Sequence, residues 1–212
     1  MGRRLPRQYV YEELNVATTF TDLMSNAFVI LVFFLLLLLV LNKQNPSETP
    51  PIIFIPDDPK HRFDPGSAAI NKSFGNYIDN KIVPEIERAS QKYNNVDVVE
   101  IIGHTDGQPN DGFGSNLDLQ LENAARGAFP VAQLKPASNA DLGLMRALAI
   151  VQRLRNIQRK DKKLVGLSFR AYSAAQLVLP SGEFAEVARQ PNRNRRRIEI
   201  RFTRLGKAKT VK

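Results

Sequence analysis

Asp22 lies just inside the amino-terminal end of the most apolar run in the chain, FTDLMSNAFVILVFFLLLLLVL, Phe20 to Leu41. A charge at the centre of a membrane-crossing helix costs roughly 2.5–3.5 kcal/mol on insertion scales, so an ionisable residue there points to function. Near the edge of the span the cost is smaller, and the positive end of a helix favours a carboxylate. An interfacial aspartate with no further role is therefore the competing reading. A second polar group, His104-Thr105-Asp106 in IIGHTDGQP (101–109), follows a run rich in β-branched residues. Polar side chains just past a strand end line a site or satisfy loop amides. The chain has only two histidines, His61 and His104, and neither belongs to a metal-binding spacing such as H-E-x-x-H. It has no G-x-S-x-G elbow, no P-loop and no cysteine nucleophile. Nothing in these residues argues for an enzyme, a metal centre or a cofactor.

The elements that must position these groups follow from periodicity. Leu23 to Leu41 is about 19 residues, or roughly 28 Å of helix, close to the thickness of a bilayer's hydrocarbon core. No A-x-A cleavage pattern follows the run, and the absence of cysteine excludes a lipoprotein anchor. An uncleaved single span over 16–41 is expected. Arg3, Arg4 and Arg7 precede it and only Lys43 closely follows, so the positive-inside rule puts residues 1–15 in the cytoplasm and residues from about 42 onward outside, in a periplasm. The segment 42–51, with Pro46, Pro50 and Pro51, reads as a short, stiff linker. One soluble domain is expected over 52–205, followed by a basic tail, 206–212.

Within that domain the pattern predicts a strand at 52–55, a long helix over 67–93 broken before Pro84, and a strand over 96–102. A short helix over 117–126 is expected inside a stretch, 107–138, rich in Gly, Asn and Pro. Leu142, Met145, Ala149 and Gln152 recur at helical spacing, which predicts a helix over 141–158 capped by Ser138-Asn139-Ala140-Asp141. Strands follow at 165–172 and 197–203, the last turning Ile198, Ile200 and Phe202 inward. The order β-α-β-α-β-β gives an α+β sandwich with helices on one face of a small sheet.

The formal charge of +9 is uneven. From Arg189 to Lys212 only Glu199 is acidic among many arginines and lysines. Such a stretch suggests nucleic acid, but it lies outside the cell in this topology and has no aromatic stacking platform. A solvated basic face, or attraction to an anionic wall or lipid surface, is the expectation.

GHTD at 103–106 resembles the signature of the OmpA/MotB carboxy-terminal peptidoglycan-binding domain. Asn139, Leu142, Arg146 and Ala147 are similar to that family's N-x-x-L-S-x-x-R-A pattern, with Gly143 in place of the serine. Arg196-Arg197-Ile198-Glu199-Ile200 resembles its closing R-R-V-E-I strand, and His61 to Ile70 its opening F-x-x-G-S-A-x-L. The resemblance implies a βαβαβ sandwich that binds the diaminopimelate-bearing stem peptide of peptidoglycan. It assigns Asp106 to the ligand ammonium and Arg146 to the carboxylate, with Thr105, Asn139 and Arg196 or Arg197 supporting the pocket. Two departures stand out. The segment between Asp106 and Asn139 is long for the family, and Arg195 replaces the asparagine before R-R, with Asn194 one place earlier.

FTDLMSNAF, Phe20 to Phe28, resembles the Y-A-D-L/F-M-T segment of MotB-type stator subunits. There an aspartate at the start of a single span carries the driving ion, and Asp22 aligns with it. Burial between helices raises a carboxylate's pKa, and protonation would then change its contacts with partner helices. The resemblance implies a homodimer inside a pentameric ring of a multi-span, ZorA- or MotA-like partner. Phe28, Leu31, Phe34 and Leu35 would face that partner, each other or lipid. The short linker and the motifs together are closer to the ZorB subunits of Zorya anti-phage systems than to flagellar stators. A motility or envelope stator and a passive wall tether are the alternatives. The ion is a proton by default, because one carboxylate suffices; Thr18, Thr21 and Ser25 keep sodium open.

Overall fold

A helix that is apolar on every side has no face to bury in a water-soluble core, and the computed structural model begins with such a helix. The structure describes residues 8–43, 49–93, 96–110, 114–207 and 209–210. The chain divides into two units, Met1–Glu48 and Thr49–Lys212. Helix α1 (Gln8–Lys43) contains one stretch long and apolar enough to cross a membrane, Val16–Leu41. The helix starts at Gln8, within the segment expected to be a polar tail. Arg3, Arg4 and Arg7, and 44–48 of the expected linker, lie outside the described residues.

The second unit is an α+β domain around a four-stranded sheet in the order β1-β4-β2-β3. Strand β1 (Ile53–Pro56) pairs antiparallel with β4 (Arg197–Thr203), which pairs antiparallel with β2 (Val98–His104); β2 and β3 (Ser168–Ala175) run parallel. Parallel neighbours need a crossover, and α5 (Asn139–Asp161) packs across both strands to provide it. Register pairs Val99 with Phe202, Ile101 with Ile200 and Gly103 with Ile198, so one face of these strands is apolar. That face packs against α5, with Met145, Ile150 and Leu154 fully buried in the same core.

The long first helix of the domain differs from expectation. Asn71 caps a short α2 (Lys72–Tyr77), its side-chain oxygen accepting from Phe74 N at 2.9 Å. A π turn over Ile78–Ile82 leads into α3 (Val83–Lys92). Pro84 lacks an N–H and crowds the preceding turn, and a widened turn accommodates it where a break was expected. Ser67 instead closes a local turn onto Ala69 N. Helix α4 (Leu117–Arg126) matches its predicted span and ends on Gly127 at φ 83°. Ser138 caps α5 through Asp141 N, while the Asp141 carboxylate accepts from Ala137 N. Strand β3 starts later than predicted because Lys162, Leu164 and Gly166 all take positive φ in the turn before it.

Two glycines fix how α5 meets the sheet. A Cβ at Gly103 would come within 2.0 Å of the Gly143 carbonyl oxygen, and one at Gly143 within 2.3 Å of Ser173 Oγ. Neither position has room for a side chain, and the first turns of α5 therefore lie directly on the ends of β2 and β3. The basic stretch expected to be a solvated face is partly internal. Arg195 and Arg197 are buried, beneath the 176–195 segment that folds back over β4.

Candidate functional site

The close approach of α5 brings together side chains far apart in sequence. The end of β2 delivers Thr105 and Asp106, the start of α5 delivers Asn139 and Arg146, and the approach to β4 delivers Arg196 and Arg197. All six line a single cleft of about 200 Å³, together with Asp57, His61, Phe63 and Gln108. A register shift at Gly103/His104 ends regular pairing there, and the Thr105 N–H donates to Ala175 O at 2.8 Å. The loop carrying Asp106 is thus tied to the end of β3.

Asp106 is 5% exposed. Its Oδ2 accepts from Asn192 N at 2.9 Å and from Arg196 Nη1 at 2.6 Å. Among the described residues its Oδ1 has only a long bond from Gln108 N, 3.3 Å. Asn139 donates to the carbonyls of Gln108 (2.9 Å) and Asp106 (3.3 Å), and Thr105 Oγ1 donates to Asp106 O. These two side chains hold the loop in shape.

Arg146 faces a different environment. It is 7% exposed, and its guanidinium donates to the backbone carbonyls of Ser67 (3.0 Å) and Asp64 (3.2 Å) over the ring of Phe63. Among the described residues it makes no ion pair. Burial pushes its pKa down to about 10; Arg196 adds to that, while Asp57 and Asp106 oppose it. A buried cation bonded only to dipoles is incompletely compensated, and an incoming carboxylate would complete it.

Arg196 and Arg197 have separate surroundings. Arg196 bridges two carboxylates: Nε and Nη2 contact Asp57 Oδ2 at 2.7 and 2.6 Å, and Nη1 contacts Asp106 Oδ2. Burial works against its charge, but the hydrogen bonds to Asp57 and Asp106 outweigh that and raise its pKa. Arg197 points into the covered face of the sheet. It bonds Glu199 Oε1 (2.6 and 2.9 Å) and the carbonyls of Val178, Leu179 and Arg195. Of the two, Arg196 is the one bonded to Asp106.

His104 also faces that covered side. Its Nε2 is 3.1 Å from Glu199 Oε1. Burial, then Arg197, lowers its pKa, with Glu199 opposing. Among the described residues no group of three or more His, Cys, Asp or Glu side chains is placed to hold a metal ion.

Sequence reasoning missed Asp57. Its signal appears only with the strand pairing: Pro56 lies opposite Arg197, so the next residue of β1's chain meets the one before β4. Asp22 lies on α1, in the other unit, four residues before the exposed Asn26.

No protein-family model matches the sequence, and no curated protein matches it. Several solved structures are similar to the chain. A MotB-like protein from Desulfovibrio vulgaris is 13% identical, with a TM-score of 0.40 over 73% of this chain and 75% of that one. The periplasmic domain of Helicobacter pylori MotB is 18% identical, with a TM-score of 0.39 over 74% of this chain and 82% of that one. The cell wall anchor of the T6SS from Pseudomonas aeruginosa is 18% identical, with a TM-score of 0.36 over 72% of this chain and 80% of that one.

Proposed function

We propose that the chain is a membrane-anchored, non-enzymatic stator subunit whose second unit grips the peptidoglycan stem peptide. The observation that carries the wall-binding part is the polarity of the cleft: Asp106 with a weakly bonded oxygen on one side, and on the other the buried Arg146, which has no ion pair among the described residues. That arrangement suits a ligand bearing both an ammonium and a carboxylate, as diaminopimelate does. The full chain should co-sediment with purified peptidoglycan sacculi, and Arg146→Ala should abolish this. Equal sedimentation of the two would end the wall-binding assignment.

The ion-driven part rests on Asp22 in the apolar helix and on the FTDLMSNAF resemblance. In this reading α1 crosses the inner membrane once with its amino terminus in the cytoplasm. Two copies work inside a pentameric, ZorA-like partner, and protonation of Asp22 drives a step that serves anti-phage defence. Phage plating on cells carrying the native operon tests it. Asp22→Asn keeps size and polarity but takes up no proton, so protection should be lost while membrane levels stay equal. Protection by the amide variant would leave a passive wall tether as the better reading. A motility phenotype without any plating phenotype would favour a flagellar or envelope stator.

A further inference from the structure

The cleft holds more negative charge than its sequence motif requires. Arg196 is shared by two carboxylates, and the sharing is unequal. Asp57 Oδ2 takes two contacts, from Nε at 2.7 Å and Nη2 at 2.6 Å, and Asp106 Oδ2 takes one, from Nη1 at 2.6 Å. Oδ1 of each aspartate is left without an ionic partner among the described residues. The side chains are 11% exposed at Asp57 and 7% at Asp106, so water screens this group poorly. An Asp106–Arg196 pair alone would be neutral. With Asp57 the trio carries one net negative charge beside the cleft.

We propose that Asp57 is a specificity-determining residue: it engages the Arg196 guanidinium so that the Asp106 side of the cleft keeps a net negative charge and selects ligands bearing an ammonium group. This rests on the wall-binding reading of the same cleft. Without Asp57, Arg196 would turn its full charge on Asp106, and the site would still accept a carboxylate at Arg146 but discriminate poorly in favour of an amine. The chemical class selected is an amino-carboxylate zwitterion over a plain dicarboxylate.

Two probes of one carbon skeleton separate these contributions: meso-diaminopimelate, with ammonium groups, and pimelate, without them. Calorimetric titration of the full chain in detergent gives a dissociation constant for each. Wild type should prefer diaminopimelate. Asp57→Asn should weaken diaminopimelate binding about tenfold, the worth of one poorly screened charge a few ångströms away. Pimelate binding should stay within about twofold, which also shows that the variant is folded. Asp57→Glu, which restores the charge, should recover the preference. An unchanged preference in Asp57→Asn overturns the proposal. So does an equal loss for both probes, which makes Asp57 a purely structural residue, or a failure of Asp57→Glu to rescue. Wild type that binds neither probe nor sacculi would sink the wall-binding reading itself, and this inference with it.

Discussion

Arg146 is a cation surrounded by dipoles. Two backbone carbonyls and a phenyl face hold it, and no carboxylate among the described residues bonds it. A site built for stability would have paired or replaced such a group, because removing an uncompensated buried charge is often neutral or stabilising. Arg146→Met keeps the length and the packing on Phe63 but drops the charge. We expect its melting temperature to stay within about 4 °C of wild type, the equivalent of about 1–2 kcal/mol, while sacculus binding is lost. A much larger drop on differential scanning calorimetry would mean that Arg146 is there to hold Asp64 and Ser67. Arg146 and Asp106, which the resemblance assigned to one ligand, line one cleft. The resemblance gave no sign that their immediate surroundings would differ so much, because carbonyl contacts from the 64–67 turn are invisible until the chain is folded.

At the scale of elements, β4 shows why a basic sequence need not make a basic surface. Its inward residues are Ile198, Ile200 and Phe202; its other face turns Arg197 and Glu199 under the 176–195 segment. Charge counting read this stretch as solvent-facing, since composition cannot say which arginines a later fold will cover. The covered group sets a pH dependence. His104 is depressed below its ordinary value of 6.5, so between its folded and unfolded pKa the unfolded chain binds more protons. Its contribution is full above about pH 6.5 and falls as the pH drops through that value. Glu199 is also depressed: burial opposes this, but hydrogen bonds from Arg201 and Arg197 outweigh it. Its contribution is full above 4.5 and is lost as acid protonates it. Both act in one direction, so thermal unfolding should shift steadily downward from pH 7.5 to pH 4. A higher melting temperature at pH 5.5 than at 7.5 would contradict the His104 assignment, and a higher one at pH 4 than at 5.5 the Glu199 assignment.

The helix–sheet contact offers a second test at this scale. The sequence departs from the family pattern at Gly143, and the structure supplies a reason: Ser173 Oγ already occupies the space. Gly143→Ser should destabilise the domain by about 1–3 kcal/mol through overpacking. Ser173→Ala should recover part of that loss in a double-mutant cycle. Additive effects in urea unfolding would refute the contact. Long periodic segments such as α4 and α5 were legible because burial repeats with the helix. The π turn before Pro84 and the late start of β3 were not, because each depends on backbone angles that periodicity does not encode.

For the whole molecule, the separation into two units has a functional corollary. Asp22 and the cleft belong to different units. Asp22→Asn should therefore co-sediment with sacculi as wild type does, and Arg146→Met should insert in the membrane at wild-type levels. Loss of wall binding in the Asp22 variant, measured on membranes and not on cells, would show that the two tasks are coupled. The apolar helix and the domain motifs could be read in the chain because each is local. Asp57 could not, because its partner lies 139 residues away and the pairing of β1 with β4 creates the contact.

That same pairing has a mechanical meaning. The first strand of the domain is β1, which ends at Pro56, and the next residue, Asp57, lines the cleft. Under a pull applied lengthwise, β1 is loaded along its own axis. Its rungs with β4, from Ile53–Ile200 to Pro56–Arg197, then share the load in shear and are not peeled one at a time. A strand of only four residues paired in this way resists tension collectively.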